Sequence, residues 1–466
     1  MRALLLLAAI LSTCCRCGNG RSLRDGGEIA STNLRSREEL AAAEALRQLA
    51  AVEVDAEEGQ SSATGGSLFA MEKFRTYEGE RLSGEPGSRF EPASESDKCD
   101  RWAVLTSIFE PTDTVRQLAA ADEWCVVVVG DKSGPKHYDV EGVTYLTPED
   151  QEALPYRIVQ LLPWNHFGRK NVGYLYAVHH GAQVIYDVDD DNALIVPEAG
   201  VPHASSAHIP ETATTFAVGP EAFAHNPYGC FGGPGNVWPR GFPLDAIKDS
   251  DSNRCDAVAA VGLGEPGAEG WPLGVVQALA NHDPDVDAIY RLTYPPDGLP
   301  FDFDEEKPVA EGDTPLKIVP PATFTPYNAQ ATLHFPPAFW GMLLPVTVHG
   351  RVSDIWRSYF TQTLLPSTGA IVAFAPPWIR NPHNYLKDFQ AEGPLYERSG
   401  ALVFFLDEHR RQSAEASAAG VGLPERIDAL MVEMYEYGIL EAADVELSQA
   451  WIEDLYSVGY NPNGSA

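Results

Sequence analysis

Positive charge is scarce in this 466-residue chain: Lys and Arg together number 33 against 66 Asp and Glu, a formal charge of −33. A surface this acidic repels nucleic acid and anionic lipid, so neither is expected as a partner. An anionic substrate would need a local Arg and Lys cluster, or a divalent cation, to cancel the repulsion. Long apolar runs are also missing. The run from Ala3 to Leu11 is nine residues, well short of the ~20 that a membrane-crossing helix needs. Following Arg2 and preceding small residues, it has the layout of a secretory signal peptide over residues 1–17, with a short uncleaved signal anchor as the alternative. Membrane contact is expected nowhere else, and the secretory pathway is the expected compartment. No CxxC spacing occurs beyond that region, which argues against a structural zinc site. Past Cys14, Cys15 and Cys17 there remain Cys99, Cys125, Cys230 and Cys255, enough for one or two disulfides whose pairing the sequence leaves open. The only N-glycosylation sequon is Asn463-Gly464-Ser465.

What is present divides the chain into four parts. Residues 18–97 are rich in Gly, Ser, Glu, Arg and Ala and read as a flexible stem, with one helical patch from Arg37 to Val54. Residues 98–406 carry the folded domain. Trp102–Ser107, Trp124–Val129, Val143–Leu146 and Gln183–Tyr186 are apolar throughout and read as buried strands. Helical segments lie between them: Asp113–Ala121 behind Thr112 as N-cap, Pro148–Leu161, and Gly168–His180. Strands alternating with helices predict an α/β fold with a mostly parallel sheet covered on both faces. From Pro197 to Pro326 the density of Pro and Gly predicts long loops and short strands. Phe335–Leu344 and Val352–Leu364 look helical, and residues 407–466 read as an acidic helical extension.

The fourth strand runs straight into Asp187-Val188-Asp189-Asp190-Asp191. Ligands of open α/β sheets bind beyond the carboxyl ends of the strands, where this run lies. Four carboxylates in five residues repel one another, and a cation relieves that. Oxygen ligands suit Mg²⁺ or Mn²⁺, which would stabilise charge building on a departing diphosphate. A solvated acidic turn or a calcium loop is the bland alternative. The spacing does not fit an EF-hand. In this reading Asp189 and Asp191 bind the metal, and Asp187 and Asp190 position them or touch ribose and sugar hydroxyls. Arg169 and Lys170, at a helix start, are candidates to hold phosphate. Asp131, after the second strand, lies where a nucleoside could sit. Asp354, just before Ile355-Trp356-Arg357, is either a general base or a helix N-cap. Trp356 is either a sugar platform or a core aromatic.

Four segments in register resemble the STELLO family of glycosyltransferases. They are Phe167–Asp191, Val237-Trp-Pro-Arg-Gly-Phe-Pro-Leu244, Gln277–Arg291 and Val352–Phe360, and the resemblance covers about Cys99 to Leu406. A more distant likeness is to the reversibly glycosylated polypeptides, the UDP-arabinopyranose mutases. Asp189-Asp190-Asp191 is similar to their acidic triplet, Arg240-Gly-Phe-Pro to the segment with their sugar-modified arginine, and Asp354-Ile-Trp-Arg to their Asp-Met-Trp signature. These resemblances imply a GT-A-like fold, Mn²⁺ or Mg²⁺, a nucleotide-sugar donor, most naturally a UDP-sugar, a glycan acceptor, and the Golgi lumen. They also imply donor contacts from Arg240, Trp356 and Arg357 and catalytic roles for Asp354 and Asp190. Ile379-Arg380 stands where the mutases carry a Trp-His pair, so His383 is the candidate substitute as metal ligand. Transfer to a glycan, mutase or self-glycosylating chemistry at Arg240, and a catalytically silent scaffold remain as the three classes.

Overall fold

The computed structural model describes residues 71–82, 89–195, 212–216, 222–255, 257–263, 272–294, 299–303, 316–320, 323–381 and 389–463. The signal or anchor segment, the patch from Arg37 to Val54, His383 and the serine of the sequon lie outside them.

The predicted alternation is present. Strand β1 (Arg101–Thr106) leads to helix α1 (Asp113–Ala119), whose N-cap Thr112 accepts from the Val115 amide. β2 (Cys125–Val129) and β3 (Val143–Leu146) follow. The helix expected over Pro148–Leu161 is two short ones, α2 (Pro148–Ala153) and α3 (Ile158–Leu161), because Pro155 ends the first. Helix α4 (Lys170–His179) then feeds β4 (Val184–Val188). The order β3-β2-β1-β4 is parallel throughout. Alternate side chains face opposite layers: Trp102 and Val104 join one core, Ala103 and Leu105 the other. That double burial is why these strands read as unbroken apolar runs. Helix α4 lies so close to the sheet that a Cβ on Gly173 would meet Val104 at 2.6 Å and Val129 at 2.8 Å. Glycine there lets the next turn up, with Lys170, slide beneath the end of β4.

Beyond β4 the sheet continues through strands that the sequence did not place individually. β8 (Leu273–His282), β10 (Ala331–His334) and β11 (Ile371–Asn381) extend the order to β4-β10-β8-β11. β10 runs antiparallel to both neighbours, whereas β8 and β11 pair in parallel. β5 (Ala193–Leu194) pairs with the end of β11, and β9 (Lys317–Ile318), β6 (Thr212–Phe216) and β7 (Ala257–Gly262) complete the far side. The result is a mixed sheet with a parallel half, consistent with a GT-A-like fold. The stretch expected to be helical around Phe335–Leu344 is a 3₁₀ turn over Pro336–Met342, and α5 (Ala288–Arg291) is a single turn.

Helices α6 (Gly350–Leu364), α7 (Gly393–Ala418), α8 (Leu423–Glu436) and α9 (Ala442–Ser457) pack against the sheet's helical layer. The boundary expected at residue 407 falls inside α7, so the last helices continue the domain rather than append to it. Asp454 accepts from the Arg157 and Ile158 amides, Asp444 from those of Val346 and Thr347, and Trp451 donates to the Trp340 carbonyl. Part of the expected stem also has fixed contacts. Arg75 donates to the Tyr435 and Leu440 carbonyls, and Arg81 pairs with Asp428 at 2.6 Å. Disulfides join Cys99 to Cys125 and Cys230 to Cys255.

Candidate functional site

The acidic run divides by depth. Asp187 belongs to β4 and is wholly buried, and Lys170 reaches it from below at 2.7 Å while Arg357 meets it at 3.0 Å. Burial alone would raise the Asp187 pKa. The two cations outweigh it and hold the carboxyl well below the usual range. Lys170 is equally buried and also donates to the Val188 carbonyl at 2.9 Å, the Ala329 carbonyl at 3.0 Å and Asp189 Oδ1 at 3.2 Å. The carboxylates around Lys170 overcome burial and raise its pKa. Both residues are therefore internal parts of an ion cluster. The expected phosphate contact from Lys170 and sugar contact from Asp187 are corrected, since neither side chain reaches solvent. The cluster continues to His334, 3.8 Å from Asp187, which burial keeps neutral with its pKa lowered to about 4.

Asp189 and Asp191 lie past the end of β4 and are half-buried; the Asp189 side chain is 34% exposed. Burial of its inner side pushes Asp189 up to about 7, with Lys170 opposing and Asp191 and Asp187 adding to the rise. Asp190 turns the other way, accepts a short hydrogen bond from Ser107, and has its pKa raised by burial. The Thr112 hydroxyl donates to the Asp190 carbonyl at 2.5 Å, which ties the acidic run to the start of α1.

Asp190 also lines a cleft of about 330 Å³ at the carboxyl ends of β1 and β2. Thr106, Ser107, Val129, Asp131 and Ser133 form its floor, and Ile108, Phe109, Asn165, His166, Phe167 and Arg169 its walls. Asp131 fixes the far wall by accepting from the Lys132, Asn165 and His166 amides at 2.7, 2.7 and 3.2 Å. Asn165 sits at φ +53° and lets the chain turn there. Arg169 borders the cleft, but its donors are spent on Gln151 and on the Val159 and Leu162 carbonyls, and its guanidinium stacks 3.7 Å from the Trp164 ring. Burial lowers its pKa to about 10. It shapes the wall instead of gripping phosphate, which corrects the expectation for it.

A second ion cluster stands behind the first. Arg240 faces Asp285 at 2.7 Å and Asp354 at 2.8 Å, and Arg351 joins Asp285 to Glu392. Burial would raise the Asp285 pKa, but Arg240 and Arg351 outweigh it and bring it down to about 2. Asp354 also accepts from the Ala329 and Ile355 amides. Both Asp354 oxygens are engaged and the residue is 5% exposed, and its N-cap reading fails because α6 starts earlier, capped by His349. Trp356 is a core aromatic and Arg357 a buried partner of Asp187. Arg240 is held between two buried carboxylates. The segment Tyr327–Gln330 links the clusters: the Ala329 carbonyl meets Lys170, the Asn328 carbonyl meets Arg357, and the Asn328 side-chain Nδ2 donates to Asp285. Sequence reasoning missed Asp285, Arg351 and Glu392, whose partners lie far away in the chain.

Among the described residues, no group of three or more His, Cys, Asp or Glu is set to hold a metal. Asp189 and Asp191 offer two carboxylates, which fits a Mg²⁺-like ion that takes its other ligands from water and substrate phosphates. β11 runs beside the acidic run, since Arg380 pairs with Ala193, and His383 follows it outside the described residues.

Residues 351–463 match the family model of STELLO glycosyltransferases. The chain is 32% identical over 375 residues to "Probable glycosyltransferase STELLO2" of Arabidopsis thaliana, which is 78% of this chain and 45% of that protein. To "Probable glycosyltransferase STELLO1" of the same plant it is 31% identical over 372 residues, with the same shares covered. It thus spans less than half the length of these relatives. The family match runs through α8 and α9, so the resemblance extends past Leu406, where the sequence had ended it. Over residues 351–463 the chain is thus similar to the STELLO glycosyltransferase family, and over 78% of its length it is a relative of the two Arabidopsis thaliana STELLO proteins.

Proposed function

We propose that this protein transfers a sugar from a nucleotide-sugar donor to a glycan hydroxyl, with Mn²⁺ or Mg²⁺ bound at Asp189 and Asp191. The observation that carries this reading is the position of those two carboxylates. They are part-exposed at the carboxyl end of the central parallel strand, beside a cleft of nucleoside size, while their neighbours are neutralised internally. The relatives' printed names support the reaction class.

In this reading the nucleoside occupies the cleft, where Asp131 and Asp190 would repel a phosphate. The diphosphate then lies toward Asp189 and Asp191. A bound divalent ion would supply the charge that stabilises the departing diphosphate. Lys170 holds Asp189 by one oxygen and keeps it in place. The bond from the anomeric carbon to the diphosphate oxygen breaks, a bond to the acceptor oxygen forms, and the acceptor's proton goes to a general base. Self-glycosylation at Arg240 is disfavoured, because a guanidinium clamped by two buried carboxylates is neither exposed nor nucleophilic. The two disulfides agree with a secretory, Golgi-lumen setting.

Calorimetry of the full chain with UDP, with and without Mn²⁺, tests the proposal. Mn²⁺-dependent binding that disappears in Asp189→Ala/Asp191→Ala is expected. Equal or absent binding in both conditions would favour a silent scaffold. A panel of UDP- and GDP-sugars with oligosaccharide acceptors then identifies the transfer.

A further inference from the structure

The cleft contains one polar group whose hydrogen-bonding direction is fixed by its own backbone. His166 lies in the wall, and its Nδ1 accepts from the Gly168 amide at 3.0 Å. An imidazole that accepts at Nδ1 carries its proton on Nε2 when neutral. Burial lowers the His166 pKa, with Asp131 opposing and His349 adding to the fall, so the neutral form prevails at pH 7. Nε2–H therefore has no choice of role: it donates. No hydrogen-bond partner meets it among the described residues.

Several other polar groups of the lining are engaged. Asn165 Oδ1 accepts from the Ser133 amide at 3.1 Å, Asp131 takes three amides, Ser107 serves Asp190, and Arg169 is saturated. Ile108 and Phe109 stand at the mouth, 49% and 59% exposed, as an apolar edge against which a flat ring can lie. A planar heterocycle entering between these surfaces meets, at His166, a donor that cannot turn into an acceptor.

We infer that His166 is a specificity-determining residue that selects donors whose base presents a carbonyl, uracil or guanine, over donors whose base presents an amine at the matching place, cytosine or adenine. This rests on the nucleotide-sugar reading above. The physical reason is an asymmetry: a carbonyl oxygen accepts from Nε2–H, whereas an amino group turns two donors against each other and leaves both unpaired. Because His166 is only half-buried, the discrimination should be about tenfold, well under the limit for a fully enclosed pair.

The test is calorimetric binding of UDP, GDP, CDP and ADP to the full chain in Mn²⁺, for the wild type and two variants. UDP and GDP should bind about tenfold more tightly than CDP and ADP. In His166→Gln the side-chain amide can flip to offer either a donor or an acceptor. CDP should then come within about threefold of UDP, which a purely structural role would not produce. In His166→Phe the ring packing stays and the donor goes, so UDP should weaken to the level of CDP. If one variant fails to fold, the other and the wild-type series still decide. Equal wild-type binding of all four nucleotides overturns the inference and leaves the nucleotide-sugar reading standing. Binding of none of them overturns both. A preference for carbonyl bases that survives in the variants assigns the selection elsewhere and overturns the role of His166.

Discussion

Asp187 and Asp189 stand two residues apart at the end of one strand and occupy opposite worlds. Asp187 is the last carboxylate inside the ladder, fully enclosed, answered by Lys170 and Arg357. Asp189 lies past the ladder's end, a third exposed, and shares only the edge of the same lysine. One is driven toward ionisation and the other away from it. Within a single acidic motif, then, exposure and counter-charge divide the labour between holding the fold and offering ligands. The same division recurs behind the rim, where Asp285 and Asp354 repeat the buried type around Arg240.

The buried type should fail by unfolding. Arg357→Met leaves Asp187 with one cation fewer, and Arg240→Met leaves Asp285 and Asp354 facing each other without an arginine between them. Removing one partner of a buried pair costs about 3–5 kcal/mol. Urea denaturation should show a loss of this size for each variant. A loss under about 1 kcal/mol would mean that these clusters are hydrated and that the division drawn above is wrong. The rim type should fail by function alone. Asp189→Asn is expected to hold or raise the denaturation midpoint at pH 7, because it removes a carboxylate that burial disfavours, while weakening Mn²⁺-dependent UDP binding about tenfold or more. A large drop in stability without loss of metal response would put Asp189 with Asp187.

How far the sequence announced this depended on how local the cause was. Four parallel strands, their helices and the Thr112 cap were legible because each is set by neighbours within a few residues. The acidic run was legible as a run, but which of its members face inward follows from where the ladder with β10 stops, and β10 comes more than a hundred residues later. β11 was hidden by Pro376-Pro377, which the strand absorbs as a register shift between Ala375 and Ile379. Asp354 looked available because its partner Arg240 lies 114 positions away. Lys170 looked like a phosphate ligand because a basic residue at a helix start usually faces out; here Gly173 lets the helix sink until the lysine is inside.

The raised pKa of Asp189 gives the comparison a pH axis. The folded value, about 7, exceeds the ordinary carboxylate value near 4 of an unfolded chain. The folded protein therefore keeps a proton that the unfolded chain has lost between those two pH values. That contribution to stability is full below about pH 4 and is lost as pH rises to about 7. Cation binding has the opposite trend, because the ion must displace the proton. Mn²⁺ affinity should rise with pH up to about 7 and level off above it, and Asp189→Asn should flatten the curve. An unchanged curve in the variant would assign the titration to another group.

The smallest effect is expected where one partner of a pair stays in water. Lys73 meets Glu436 at 2.7 Å, with the lysine side chain 47% exposed and the glutamate 9%. Water solvates the lysine, and the Tyr77 amide still donates to Glu436 without it, so the pair should contribute about 0–1 kcal/mol and fade as salt is added. Lys73→Ala measured by urea denaturation at low and high ionic strength should stay within that range and leave Mn²⁺-dependent UDP binding untouched. The pair's distance matches that between Lys170 and Asp187, so equal geometry with unequal consequence would isolate burial as the variable that separates the two. Were Lys73→Ala to cost as much as Arg357→Met, contact distance rather than enclosure would govern these ion pairs, and the reading of Asp187 as structural and Asp189 as a ligand would lose its physical basis.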